Sequence, residues 1–98
     1  MSRLRWTLRA QDDLLQVARF IAGDNPEAAR KWIATLCERA RAAARMPRAG
    51  RRVPELGRDD VREVVVRRYR IVYQVSPGGI VVLVVFESHR QFPGGVGT

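Results

Sequence analysis

The spacing of apolar positions along this chain changes twice. From Leu8 to about Ala22 apolar residues recur at helical intervals: Leu14, Ala18 and Ile21 fall in one line, and Leu15 and Val17 widen it. Arg9, Gln11, Asp12 and Arg19 fall on the opposite, water-facing side. From Pro26 to about Arg45 a second stripe passes through Ala29, Trp32, Ile33, Leu36, Ala40 and Ala43. From Val61 the period shortens to that of strands, in the runs Val61 to Val66, Tyr69 to Ser76 and Ile80 to Phe86.

The three runs differ in a way that orders them. Ile80 to Phe86 is apolar throughout, which predicts a central strand covered on both faces. The middle run alternates, with Tyr69, Ile71, Tyr73 and Val75 on one face and Arg70, Val72 and Gln74 on the other. Pro77-Gly78-Gly79 is a strong turn signal. Arg67-Arg68 is a weak one, and predicts a bulge, a longer turn or a place where charge outweighs turn quality.

The punctuation upstream is consistent with two helices. Thr7 is placed to cap the first, and Asp12 and Asp13 to favour its dipole. Gly23-Asp24-Asn25-Pro26 ends that helix, caps the next with Asn25 and starts it with Pro26. So short a joint predicts a helical hairpin. Arg3 to Trp6 alternates like a short strand at one side of the sheet, with no partner specified. The expected fold is α+β: a helical hairpin packed on one face of a small, mainly antiparallel sheet, in the order β-α-α-β-β-β.

Composition narrows the class. With 98 residues, 46% of them hydrophobic, the chain predicts a single domain, here placed at residues 1–93, with residues 94–98 a disordered tail. No stretch has the roughly 18 apolar residues of a membrane span. Met1 to Trp6 has no apolar core of a signal peptide, so the default location is cytoplasmic. Cys37 is the only cysteine and falls in the second helical stripe, as a small hydrophobe would. One Cys and one His far apart supply no metal site, and no cofactor motif is present.

Charge adds one more constraint. Eighteen Lys and Arg against ten Asp and Glu give a formal net charge of +8, which favours nucleic acid, ribosomes or an acidic protein as partner. All the basic residues except Lys31 are arginine. Arg45, Arg48, Arg51, Arg52 and Arg58 lie in or beside the loop from Met46 to Asp60, where they either line a groove or cover a solvated surface. Arg70 points away from the Tyr69/Tyr73 face and is the better candidate for solvent or target contact. His89 has the one side chain that ordinarily titrates near neutrality.

The phrases R-W-T-x-x-A-x-x-D-L at Arg5 to Leu14, D-N-P-E-A-A at Asp24 to Ala29 and M-P-R-A-G-R-R-V-P-E-L at Met46 to Leu56 occur in that order. V-R-E-V-V-V, Y-R-I-V-Y and a closing E-S-H-R at Glu87 to Arg90 follow. In order and spacing the chain resembles the RelE/ParE toxin superfamily of type II toxin–antitoxin modules, and its phrases are closer to the ParE branch. The resemblance implies a small basic toxin held by a cognate antitoxin through an acidic or amphipathic segment that crosses the helical hairpin toward the sheet edge. ParE-like members inhibit DNA gyrase by binding; RelE-like members cleave mRNA on the ribosome.

The two implied activities use different residues. Binding to a target or nucleic acid would draw on Arg48, Arg51, Arg52, Arg70, His89 and Arg90. Cleavage needs a base, an acid and cations for the phosphorane, for which the candidates are His89, Arg90 and Arg70. Against cleavage, the lysines of several mRNA-cleaving relatives are absent, and Phe92 stands where a tyrosine would be wanted; phenylalanine transfers no proton. An unspecialised nucleic-acid-binding module is the third reading.

Overall fold

The computed structural model describes residues 2–97. Strand β1 (Arg3–Trp6) leads into helices α1 (Leu8–Ala22) and α2 (Pro26–Arg45). A 3-10 turn at Pro47–Ala49 and a two-residue strand β2 (Arg51–Arg52) follow. The meander β3 (Val61–Val66), β4 (Tyr69–Ser76) and β5 (Gly79–Glu87) completes the sheet, whose spatial order is β1-β5-β4-β3-β2. All neighbours are antiparallel except β1 and β5, which run parallel. The α+β, β-α-α-β-β-β expectation holds, with β5 in the interior, β1 at one edge and β2 as an unforeseen second edge.

The helices form where their caps were read. Thr7 Oγ1 accepts the Ala10 N–H at 3.0 Å, and Asn25 Oδ1 accepts that of Ala28 at 3.1 Å. Asp12 and Asp13 lie beyond the first turn of α1 and so do not serve its dipole. Asp13 instead accepts the Val85 N–H at 2.9 Å, tying α1 to β5.

One face of the sheet packs on the hairpin. Leu36, Ala40 and Ala10 meet Ile71, Tyr73, Ile80 and Val82 there, all fully buried. Tyr73 donates to the Pro47 carbonyl at 2.6 Å, so its hydroxyl is satisfied inside the core. Burial pushes its pKa up. Tyr69 is half-buried with its ring 5.8 Å from that of Trp32. Leu15, expected to widen the apolar stripe of α1, is exposed instead. Cys37 is half-buried and free.

The opposite face is covered too, and by segments without regular structure. Val53 and Leu56 from the loop after β2, and Phe92 and Val96 from the C-terminal segment, pack on Val61, Val72, Val84 and Phe86. The residues after Pro93, expected to be disordered, lie folded against the sheet: Val96 is buried, Arg9 donates to the Gly94 carbonyl at 3.2 Å, and Arg58 donates to that of Gly97. Thr98 lies outside the described residues.

The Arg67-Arg68 turn is neither bulged nor long. Val66 pairs directly with Tyr69, so the two arginines form the whole loop, with Arg67 at φ 55°. Its guanidinium stands 5.0 Å over the Trp32 ring, a cation–π contact that offsets the unfavourable backbone. The irregularity of the meander is elsewhere: Val72 faces Val84 while Tyr73 faces Val82, so Leu83 is an extra residue in β5.

Candidate functional site

The charged centre of the outer sheet face is a closed network around Arg70. Glu63 on β3 and Arg70 on β4 share this face because each lies an even number of residues from the apolar positions Val61 and Val72 that line it. Arg70 Nε donates to Glu63 Oε1 at 2.6 Å, and its two terminal nitrogens donate to the two carboxylate oxygens of Glu55 at 2.8 Å each. Arg51 on β2 donates through Nε to the other Glu63 oxygen. The Arg70 guanidinium stacks 5.1 Å from the Phe86 ring and 5.5 Å from that of Phe92, and these rings meet edge-on at 5.7 Å.

The electrostatics follow from this geometry. The hydrogen bonds from Arg70 hold the Glu55 carboxyl down at about 2, and the same carboxylates push Arg70 above its already high ordinary value. Two acids therefore bond all three guanidinium nitrogens of this one cation, and two phenylalanine rings lie beside it. The expectation that Arg70 faces solvent or a target is not met: the side chain is 6% exposed. Alternation assigned its face correctly, but that face is roofed.

The remaining candidates are at the surface, in two groups. Arg51 and Arg52 form the β2 edge, where Arg52 donates to the Gly57 carbonyl at 2.6 Å. Nearby, Arg48 is ion-paired to Asp59 at 2.6 Å and lowers that carboxyl's pKa. His89 and Arg90 follow the end of β5 and are about 70% exposed, with Nδ1 of His89 3.5 Å and Arg90 Nη2 3.8 Å from Glu87. Strands β3 and β4 stand between the two groups. The set His89, Arg90 and Arg70 is not gathered around free donors, because those of Arg70 are taken. No group of three or more metal-ligating side chains occurs among the described residues.

Comparison with known proteins supplies the family. Residues 4–92 match the model of the ParE toxin of the type II toxin–antitoxin system parDE. The chain belongs to the ParE toxin family. A relative from Sinorhizobium fredii, Y4kP, whose name makes it a candidate toxin, is 35% identical over 94 residues, covering 93% of each chain. The fold is also that of a chain in the chromosomal ParDE toxin–antitoxin system from P. aeruginosa: TM-score 0.72, 21% identity, covering 89% of this chain and 96% of that one. This ParE chain is thus a toxin of a type II toxin–antitoxin system, as the resemblance to the superfamily implied.

Sequence reasoning missed Glu55 and Glu63 in this ParE chain. A signal for Glu63 was present. An acid alternating with Val61 and Val65 in one strand, beside a strand carrying Arg70 on the same face, is a cross-strand ion pair in outline. Glu55 had no such signal, since a loop carries no face.

Proposed function

We propose that this ParE toxin acts by binding, that DNA gyrase is its target, and that a cognate antitoxin neutralises it with an acidic or amphipathic segment. The observation that carries the reading is the internal use of Arg70. A ribonuclease built on this sheet needs a cation free to stabilise the phosphorane, and two carboxylates already fill that one. Arg48, Arg51, Arg52, His89 and Arg90 remain as surface contacts for a partner, and the +8 net charge favours acidic surfaces. A toxin of this kind would inhibit growth and stabilise a plasmid that carries the module. Its targets are cytoplasmic, and none of the described helices is long and apolar enough to cross a membrane.

A second reading, ribosome-dependent mRNA cleavage, draws on the exposure of His89 and Arg90 side by side after β5. Expression in growing cells, with and without the antitoxin, tests the two together. The binding reading expects growth arrest that the antitoxin reverses, with mRNA 5′ ends unchanged. New codon-spaced ends would favour cleavage, and unaffected growth would remove both.

A further inference from the structure

The arginines of this chain divide by what they already hold. On and around the β2 edge, Arg48, Arg51, Arg58, Arg62 and Arg70 bond carboxylates, and Arg52 bonds a carbonyl. The β3–β4 turn is different. Among the described residues, no carboxylate or carbonyl accepts a hydrogen bond from the side chain of Arg67 or Arg68, and both are exposed.

This turn is kept against its own backbone preference. Arg67 is the one non-glycine at positive φ among the described residues, where Asn or Gly would sit with less strain. Trp32 holds its guanidinium by charge, at 5.0 Å, and leaves its N–H donors unbonded. Arg68 is fixed from the other side: its carbonyl accepts the Ser88 N–H at 2.6 Å, which ties the turn to the exposed segment carrying His89 and Arg90. Burial and Glu87 push the Tyr69 pKa up, while Arg68 and Arg90 pull it back, so both guanidinium groups stand near that hydroxyl.

The charges of this ridge are therefore Arg67, Arg68 and Arg90 against Glu87, which already has His89 and Arg90 beside it. On the adjoining helices, Asp13 lies in the field of Arg9, and Glu27 is paired with Arg30 at 2.7 Å. The surplus is positive. The two rings here, Trp32 and Tyr69, are half-buried and offer no open face for a base to stack on. Val65 and Phe20 are exposed, but singly and on different elements, so they form no apolar anchor for a protein partner. Cations and hydroxyl or N–H donors without such an anchor fit a phosphate backbone.

We infer that the ridge formed by Arg67, Arg68 and Arg90 binds the phosphate backbone of duplex DNA, without reading its sequence. The choice of DNA over RNA rests on the gyrase reading above, since duplex DNA is what that enzyme acts on. The toxin then holds the DNA as well as the enzyme.

The test is fluorescence anisotropy of the full-length toxin, without gyrase, on labelled DNA and RNA duplexes of about 20 base pairs, from about 50 to 200 mM salt. Arg67→Asn/Arg68→Gly removes two charges and installs a turn that favours the hairpin, so loss of binding is not loss of fold. Arg30→Gln/Arg41→Gln removes the same charge from exposed pairs on α2. The turn variant should bind DNA about tenfold or more weaker at the lower salt, with a salt slope smaller by about 2; the helix variant should lose less than about threefold. Equal losses in the two variants, or no binding by the parent, overturn the ridge and leave the gyrase reading standing. RNA bound about tenfold tighter than DNA overturns the choice of DNA. A turn variant that binds DNA like the parent but no longer inhibits supercoiling shows that the ridge meets protein instead. DNA binding by a parent toxin that leaves supercoiling intact overturns the gyrase reading and not the ridge.

Discussion

Arg70 and Glu55 meet through two parallel hydrogen bonds of 2.8 Å, although 15 residues separate them in the chain. Arg70 also bonds to Glu63, whose side chain is fully buried, so removing the arginine leaves a buried carboxylate with Arg51 alone. Arg70→Met should therefore lower stability by about 3–5 kcal/mol, the usual cost of breaking a buried pair from one side. The double variant Arg70→Met/Glu63→Leu should recover much of that loss, because no charge is then stranded. Urea denaturation of the two variants and the parent measures both effects. An Arg70→Met protein as stable as the parent would mean that the network is not formed.

The same contact makes a prediction in acid. The folded-state pKa of Glu55 lies at about 2, below its ordinary value of 4.5. Its stabilisation is complete above about pH 4.5 and fades as pH falls toward 2, since protons then bind the unfolded chain more readily. Because the Glu55 side chain is 39% exposed, solvent screening reduces the size of the effect. Glu55→Gln should flatten the loss of stability between pH 4.5 and 2, as followed by thermal melts across that range. An unaltered slope would show that Arg70 does not hold this carboxylate in solution.

Asp13 has the opposite sign. Burial raises its pKa above 3.8, only partly offset by the Val85 N–H. The folded protein then holds a proton that the unfolded chain releases, so this group lowers stability as pH rises through that window. Asp13→Asn keeps an acceptor for Val85 and removes the charge, and should be as stable as the parent or more so at neutral pH. Asp13→Ala loses the acceptor and should cost about 1–2 kcal/mol. Denaturation at pH 7 ranks the three.

The C-terminal segment is a further handle. Val96 buries its side chain against the outer face, so Val96→Asp should cost about 1.5–3 kcal/mol, the scale of burying one valine, and more if the charge is not released to water. Hydrogen exchange should then rise in residues 53–58 and 92–97 while the hairpin side of the sheet stays protected. Uniform loss of protection would mean that the tail supports the whole domain.

His89 separates the two mechanisms at the level of one residue. If the toxin works by binding, His89 is one surface contact among several, and His89→Ala should weaken growth arrest by no more than about tenfold. If His89 is a general acid or base, activity should fall by about 10²-fold or more. A dose–response series in expressing cells reads the difference.

The order of the elements and the covering of the outer sheet face were not equally legible in the sequence. The order of elements, both helix caps and the interior place of β5 follow from local period and punctuation, and each was read from its own residues: Thr7, Asn25 and the unbroken run Ile80 to Phe86. What covers the outer face was not legible. Val53, Leu56, Phe92 and Val96 are apolar residues isolated among Pro, Gly and Arg, and nothing local says that two irregular segments converge on one surface. That is why Arg70 was assigned the right face and the wrong environment. Strand β2 was missed for the same reason, since two residues have no period and are ordered only by β3.

Inhibition of gyrase by contact and destruction of message by chemistry leave different products. Purified toxin titrated into a gyrase supercoiling reaction tells them apart most directly. Dose-dependent loss of supercoiling, restored by adding antitoxin, is the result expected. Full supercoiling at every dose, from toxin that still arrests a translating extract and cuts its mRNA, would contradict it.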